Sequence, residues 1–245
     1  MGLFSFKDKA GPGVSKNEPK APAHVRFFKV YFGHFSRMVG LNIVYLFACF
    51  PIFTIGPATA GMTYVMRNYS QGKHVDTMHD FMKKCREHFK QGLIVFVIDV
   101  VIAVLLYLSI SFWWHSSGSS TMQAIALVFL IYFVYLLVCT NLYIFPMMVS
   151  FDLTLKQLIR NSVILGATQF GRNIAMILFD GVVIGLCLLL WPIPLPLMIC
   201  CLFTFCALFN NMMVYPVLVK HVAAPQDTSE DEPDEEDIVF RDNVK

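Results

Sequence analysis

The apolar positions of this chain fall into long unbroken runs, not into alternating ones. Four runs are clear: about Gln91 to Trp113, Met122 to Met148, Asn173 to Trp191, and Leu195 to Val219. A run of about 18 or more apolar residues reads as a membrane-crossing helix. A membrane β-barrel would need short segments with apolar and polar residues in alternation, and these runs do not alternate. The pattern therefore predicts four crossing helices. A fifth stretch, Leu41 to Met66, is apolar but carries Gly56-Pro57 in its middle. It either crosses once or enters and returns.

Charge decides between the two. Seven Lys and Arg lie in residues 1–40, six in 67–90, three in 152–172 and three in 220–245, which is all nineteen. Cytoplasmic loops carry the excess of Lys and Arg. A stretch that goes in and returns keeps every one of them inside; a single crossing would put the seven N-terminal ones outside. The expected turn is Gly56-Pro57, with Pro57 at a first helical position where its missing N–H costs little. Both arms are short, so a re-entrant hairpin buried by other helices stands beside two full crossings. The resulting expectation is an all-α, polytopic transmembrane bundle. It has six passes, or four passes plus a short N-terminal membrane hairpin, with both termini cytoplasmic. Three tryptophans, Trp113, Trp114 and Trp191, fall at the expected outer ends of spans, where indoles favour the interface.

Composition agrees. The chain has 245 residues, 56% hydrophobic and 15% charged, with mean hydropathy +0.60, too apolar for an ordinary soluble domain. Three parts are expected: a flexible basic cytoplasmic N-terminus (1–35), a transmembrane domain (36–222), and an acidic, disordered cytoplasmic tail (223–245). The N-terminus has no apolar core of a signal peptide, and Phe6 stands where a myristoylation signal wants Ser or Thr.

Two polar segments read as amphipathic cytoplasmic helices. In the first, Met78, Phe81, Met82, Cys85, Phe89 and Leu93 recur at helical spacing opposite Lys83, Lys84, Arg86 and Lys90, and Thr77 with Asp80 resembles a capping box. In the second, Asp152 is the expected N-cap, and Leu155, Leu158, Ile159 and Val163 form the stripe. The chain also echoes itself. "HFKQGLIVFVID" (88–99) and "QFGRNIAMILFD" (169–180) share Phe at the second position and Asp at the twelfth. Asn141 and Asn211 each stand five residues before a proline, Pro146 and Pro216.

The candidate chemistry lies in the spans. Asp99 and Asp180 fall near the middle of theirs, where a carboxylate costs a few kcal/mol and needs a polar partner or a wet cavity. They form either an ion-binding pair or a polar clamp on Asn42, Asn141, Asn210, Asn211 or a tyrosine. No P-loop, H-E-x-x-H or G-x-S-x-G motif occurs, and the Cys and His residues lack metal-ligand spacing. No catalytic residue, cofactor, metal or nucleic-acid partner is expected. The expected partner is the lipid bilayer.

"GPGVSKNEPK" (11–20), "PIFTIGPATAGM" (51–62), "FKQGL" (89–93) and "YIFPMMVSFDLTLKQLIRNSVIL" (143–165) resemble the YesL-like family of bacterial integral membrane proteins. The resemblance runs from residue 1 to about 222. Genes of that family often lie beside carbohydrate ABC importers, which implies an accessory or regulatory role in oligosaccharide import, not an enzyme. The family supplies no catalytic residues to carry over. The segment "FDLTLKQLIRNSV" lacks the Glu-Ala-Ala pattern of a permease coupling loop, so the chain is not expected to be a conventional permease subunit. The alternative is a small secondary transporter or channel built on Asp99 and Asp180.

Overall fold

A computed structural model describes residues 23–115, 120–190 and 201–223. Among these the chain is helical throughout, with no strand. The helices are α1 (Ala23–Gly33), α2 (Phe35–Cys49), α3 (Ile55–Ser70), α4 (Thr77–Glu87), α5 (Phe89–His115), α6 (Ser120–Met148), α7 (Leu155–Thr168), α8 (Phe170–Leu189) and α9 (Phe203–Leu218). A π-helical turn, Val219–Ala223, follows α9. The structure is a helical membrane bundle. α5, α6, α8 and the stretch Phe203–Val222 are long and apolar enough to cross a bilayer, and α2 is a shorter apolar helix. At 1.5 Å per residue α5 is about 40 Å long and α6 about 43 Å, against a hydrocarbon core of about 30 Å. Ile94, Val97, Val101, Leu105, Leu108 and Phe112 of α5 are exposed, an apolar surface suited to lipid.

α2 and α3 form the hairpin expected of residues 41–66, with a different turn. Pro51 is extended (φ −76°, ψ 110°) and breaks α2; a 3₁₀ turn, Ile52–Thr54, leads into α3. Thr54 Oγ1 donates to the carbonyls of Ala48 and Pro51 and ties the turn. Gly56 and Pro57 are therefore not the reversal; they stand in the first turn of α3, where a proline still lacks only an N–H that has no helical partner. Gly72, at φ 71°, follows the end of α3. The arms are about 22 and 24 Å long, shorter than the hydrocarbon core.

α3 is the central helix: twelve of its sixteen residues are buried. Its small side chains explain why. A Cβ placed on Gly56 would lie 2.1 Å from the carbonyl oxygen of Gly92, so α3 and α5 cross backbone to backbone there. One on Gly61 would lie 2.8 Å from the Phe81 carbonyl, and the Phe81 ring of α4 fills that space.

The repeat runs three times, not twice. Each unit is an amphipathic helix (α1, α4, α7) ending at one non-helical residue (His34, His88, Gln169). A phenylalanine then opens the next helix (Phe35, Phe89, Phe170). The eleventh residue after the break (Tyr45, Asp99, Asp180) hydrogen-bonds to a side chain of the returning helix. The amphipathic helices each pack on a return helix of the unit before. Tyr69 of α3 meets Thr77 of α4 at 2.6 Å. A Cβ on Gly166 of α7 would touch Cys139 of α6 at 3.3 Å. The third unit is closed by the first: Phe27 of α1 stacks edge-on against Phe205 and Phe209 of α9.

Several expectations change. Residues 23–33, expected within the flexible N-terminal segment, form α1, because Phe27 and Tyr31, four apart, bury one face of it. In α4 the buried strip is Thr77 and Phe81 with half-buried Cys85; Met78 and Met82 are exposed. Phe89 and Leu93 lie past the break at His88 and belong to α5. Asp76 is the N-cap of α4, and Asp80 Oδ2 accepts its backbone N–H at 3.2 Å. Thr154, not Asp152, caps α7, in a capping box with Gln157. The stripe of α7 is as expected, with Leu158 fully inside and Leu155 and Ile159 packed on the core. Burial pushes the Cys85 thiol up to about 11, with Cys49 a lesser cause. The N-terminal residues 1–22, Trp191, Leu195, the acidic tail from 224 and the loop 116–119 lie outside the described residues.

Candidate functional site

Asp99 stands ten residues into α5, facing α6. Asn141 Nδ2 donates to Asp99 Oδ1 at 3.1 Å and to the Leu137 carbonyl of its own helix at 3.1 Å. One amide thus serves both a carboxylate and the helix that carries it. Beside this pair lies a cavity of about 160 Å³ between α5, α6 and α7. Its walls are Val95, Ile98, Ile102, Leu136 and Ile144, and Asp99 and Thr140 supply the polar groups.

Asp180 repeats the arrangement in α8. Asn210 Nδ2 donates to Asp180 Oδ2 at 2.7 Å, and the Cys206 thiol also lies within hydrogen-bonding reach of the carboxylate. Asp180 Oδ1 and Asn210 Oδ1 are buried and find no partner among the described residues. The first unit has the same contact without a charge: Tyr45 Oη and Thr59 Oγ1 are 3.2 Å apart.

The other asparagines do other work. Asn42 Oδ1 accepts the backbone N–H of Thr204 at 3.0 Å, joining α2 to the first turn of α9. Asn211 Nδ2 donates to the Ala207 carbonyl of its own helix. The match between Asn141 and Asn211, read from their spacing to proline, is therefore one residue off: Asn210 is the counterpart. Asp99 and Asp180 do not share a partner. They lie in separate units, each with its own amide.

Arg67, near the end of α3, is a further polar anchor of the bundle. Its Nη1 donates to the Val149 carbonyl at 2.8 Å and to Ser150 Oγ at 2.7 Å, at the C-terminal end of α6. The guanidinium lies 5.5 Å from the Tyr64 ring centroid. A cation at a helix C-terminus is favoured by the exposed carbonyls there. A lone arginine at the end of an apolar run reads as an ordinary cytoplasmic charge, so the sequence offers no sign of it. Asn173 makes a second junction: it accepts from Tyr143 Oη at 2.7 Å and donates to the Gly166 carbonyl at 2.7 Å, tying α6, α7 and α8 at the break. Among the described residues no group of three His, Cys, Asp or Glu could hold a metal ion.

Residues 38–110 match a family model described as "Protein of unknown function, DUF624". That stretch holds most of α2, all of α3 and α4, and α5 as far as Ile110, and so includes the Gly56–Gly92 crossing, Arg67 and Asp99. The chain is 25% identical over 199 residues to the uncharacterized protein YteU of Bacillus subtilis (strain 168), covering 78% of this chain and 86% of that one. No solved structure matches. The match and the relative agree with the resemblance to the YesL-like family.

Proposed function

We propose that this protein is a non-enzymatic accessory or regulatory component of the bacterial plasma membrane that works beside a carbohydrate ABC importer. Both termini are taken as cytoplasmic, on the distribution of Lys and Arg. The observation that supports a scaffold over a catalyst is the pairing of the intramembrane carboxylates. Asp99 and Asp180 each meet an asparagine of the returning helix, and the same position in the first unit is a neutral Tyr–Thr contact. A position filled equally by Asp or Tyr holds helices together. The link to sugar import rests on the family resemblance, an associational warrant. Deleting the gene is expected to impair growth on one class of oligosaccharide and spare unrelated sugars. The importer subunits should co-purify with the protein in mild detergent. Normal growth on every carbohydrate, with no subunit recovered, ends this reading.

A second reading, a small transporter, has one observation in its favour: Asp99 lines a cavity, and Asp180 Oδ1 is left over. Substitution separates the two. Asn keeps the size and hydrogen bonding of Asp but does not ionise. Asp99→Asn and Asp180→Asn are expected to fold and function as the native chain does. Asp180→Leu should cost about 1–3 kcal/mol, the desolvation of an abandoned polar partner, read as a lower melting temperature in detergent. A stable, inactive Asp→Asn protein at either site moves the assignment to the transporter.

A further inference from the structure

Two surface features on α1 and α2 adjoin. The first is a groove of about 260 Å³ between α1, α8 and α9. Tyr31, Phe32, Phe35, Val183, Cys187 and Phe205 line it, and no polar atom is exposed in it. The second is a cleft of about 420 Å³ between the start of α2 and the loop entering α4. Ser36, Arg37, His74 and Asp76 face it. A shallow depression over Phe32 to Arg37 shares Phe32 and Phe35 with the groove and Arg37 with the cleft, so the three form one track. One end is apolar and the other carries a fixed cation, an imidazole and a carboxylate. The polar end belongs to the loop with Lys73 and His74, and the apolar end runs along the C-terminal half of α8.

We propose that this track binds one phospholipid of the surrounding leaflet, of the phosphatidylethanolamine class. An acyl chain fills the groove, where burial of methylenes supplies the affinity. The phosphodiester meets the Arg37 guanidinium, a fork suited to phosphate oxygens. The ammonium donates to Asp76. Arg37 and Asp76 are exposed, and neither side chain is committed to an ion pair among the described residues. Phosphatidylcholine has the same phosphate but no N–H to give Asp76. Phosphatidylglycerol offers only a neutral hydroxyl. The site thus prefers a headgroup of both signs. It stands independently of the import reading.

The full chain is reconstituted into vesicles of equal parts phosphatidylethanolamine, phosphatidylglycerol and phosphatidylcholine. It is then extracted in mild detergent and weighed by native mass spectrometry. One phosphatidylethanolamine is expected to be retained several-fold over the other two. Arg37→Gln should lower retention of all three lipids several-fold. Asp76→Asn should keep retention but lose the preference. Val183→Trp should fill the groove and abolish retention. Should that variant fail to melt cooperatively, the two exposed substitutions decide alone. Equal retention of the three lipids, a preference for phosphatidylglycerol, retention unchanged in Arg37→Gln, or a preference unchanged in Asp76→Asn overturns the proposal. So does displacement of the lipid by inorganic phosphate, which would make the cleft a site for a free anion.

Discussion

Replacing Gly56 by alanine should destabilise the bundle more than any other single change at its helix crossings. The new methyl carbon would sit 2.1 Å from the Gly92 carbonyl oxygen and 2.7 Å from its carbon, both backbone atoms that no rotamer change can move. Gly92→Ala meets the same crossing from the other side, at 2.8 Å from the Pro57 nitrogen. Helices that approach this closely do so through small residues, and van der Waals contact along the crossing is what holds them. Forcing them apart costs about 3 kcal/mol. For a chain of this size that lowers the melting temperature by roughly 6–12 °C. Gly181→Ala and Gly185→Ala in α8 are the controls, because a Cβ there meets nothing within 4 Å. Monodispersity and thermal melting in detergent give the readout. A Gly56→Ala protein that melts with the controls would mean that α3 and α5 do not meet at this point.

Arg67→Met is expected to have the next largest effect. The native guanidinium makes two charge-assisted hydrogen bonds to the end of α6, each worth about 1.5–3 kcal/mol, and lies over Tyr64. Methionine fills much of the same volume but leaves the Val149 carbonyl and the Ser150 hydroxyl without this donor. Ser150 Oγ also donates to the Pro146 carbonyl, so its loss is partial. The net cost should be about 2–4 kcal/mol, after relief of the arginine's own desolvation. Arg67→Lys should fall between, since an ammonium keeps the charge but not the fork. Melting of the three proteins at one salt concentration checks the order. Arg67→Met as stable as the native chain would place Arg67 among buried charges that packing can replace.

The long apolar runs of α5, α6 and α8 were legible because lipid asks for length and hydropathy alone, and both are written locally. The hairpin of α2 and α3 was legible through charge. Its turn was not, because Gly56-Pro57 looks like a turn to any local rule. The small residue is there for the neighbour 36 positions along the chain, Gly92. The shared twelfth-position aspartate pairs Asp99 with Asp180, and in the structure each meets an asparagine of its returning helix, Asn141 and Asn210. Asn210 and Asn211 differ by one step on the helix, about 100° of rotation, and spacing to a proline does not fix which one faces α8. The third copy of the unit, "HFSRMVGLNIVY" (34–45), escaped because tyrosine replaces aspartate at its twelfth position. The His-Phe pair it shares with 88–89 was the available sign. Of the strip that α4 buries, Phe81 and Cys85 were legible from their spacing; that Thr77 joins it and Met78 and Met82 do not was not, since its limits are set by the groove over Gly61.

The way α1 seats on the bundle bears on how the protein is made. α4 meets α3, and α7 meets α6, as soon as each leaves the ribosome. α1 is synthesised first, yet Tyr31 Oη reaches the Cys201 carbonyl, 170 residues downstream. At about 5–20 residues per second that interval is roughly 10–30 s. For that time the part of the Phe27 and Tyr31 face that meets α8 and α9 lies uncovered. The first of the described helices to be made completes its seat last, so a chain cut short anywhere before α9 is born with an unsealed ring that quality-control proteases can recognise.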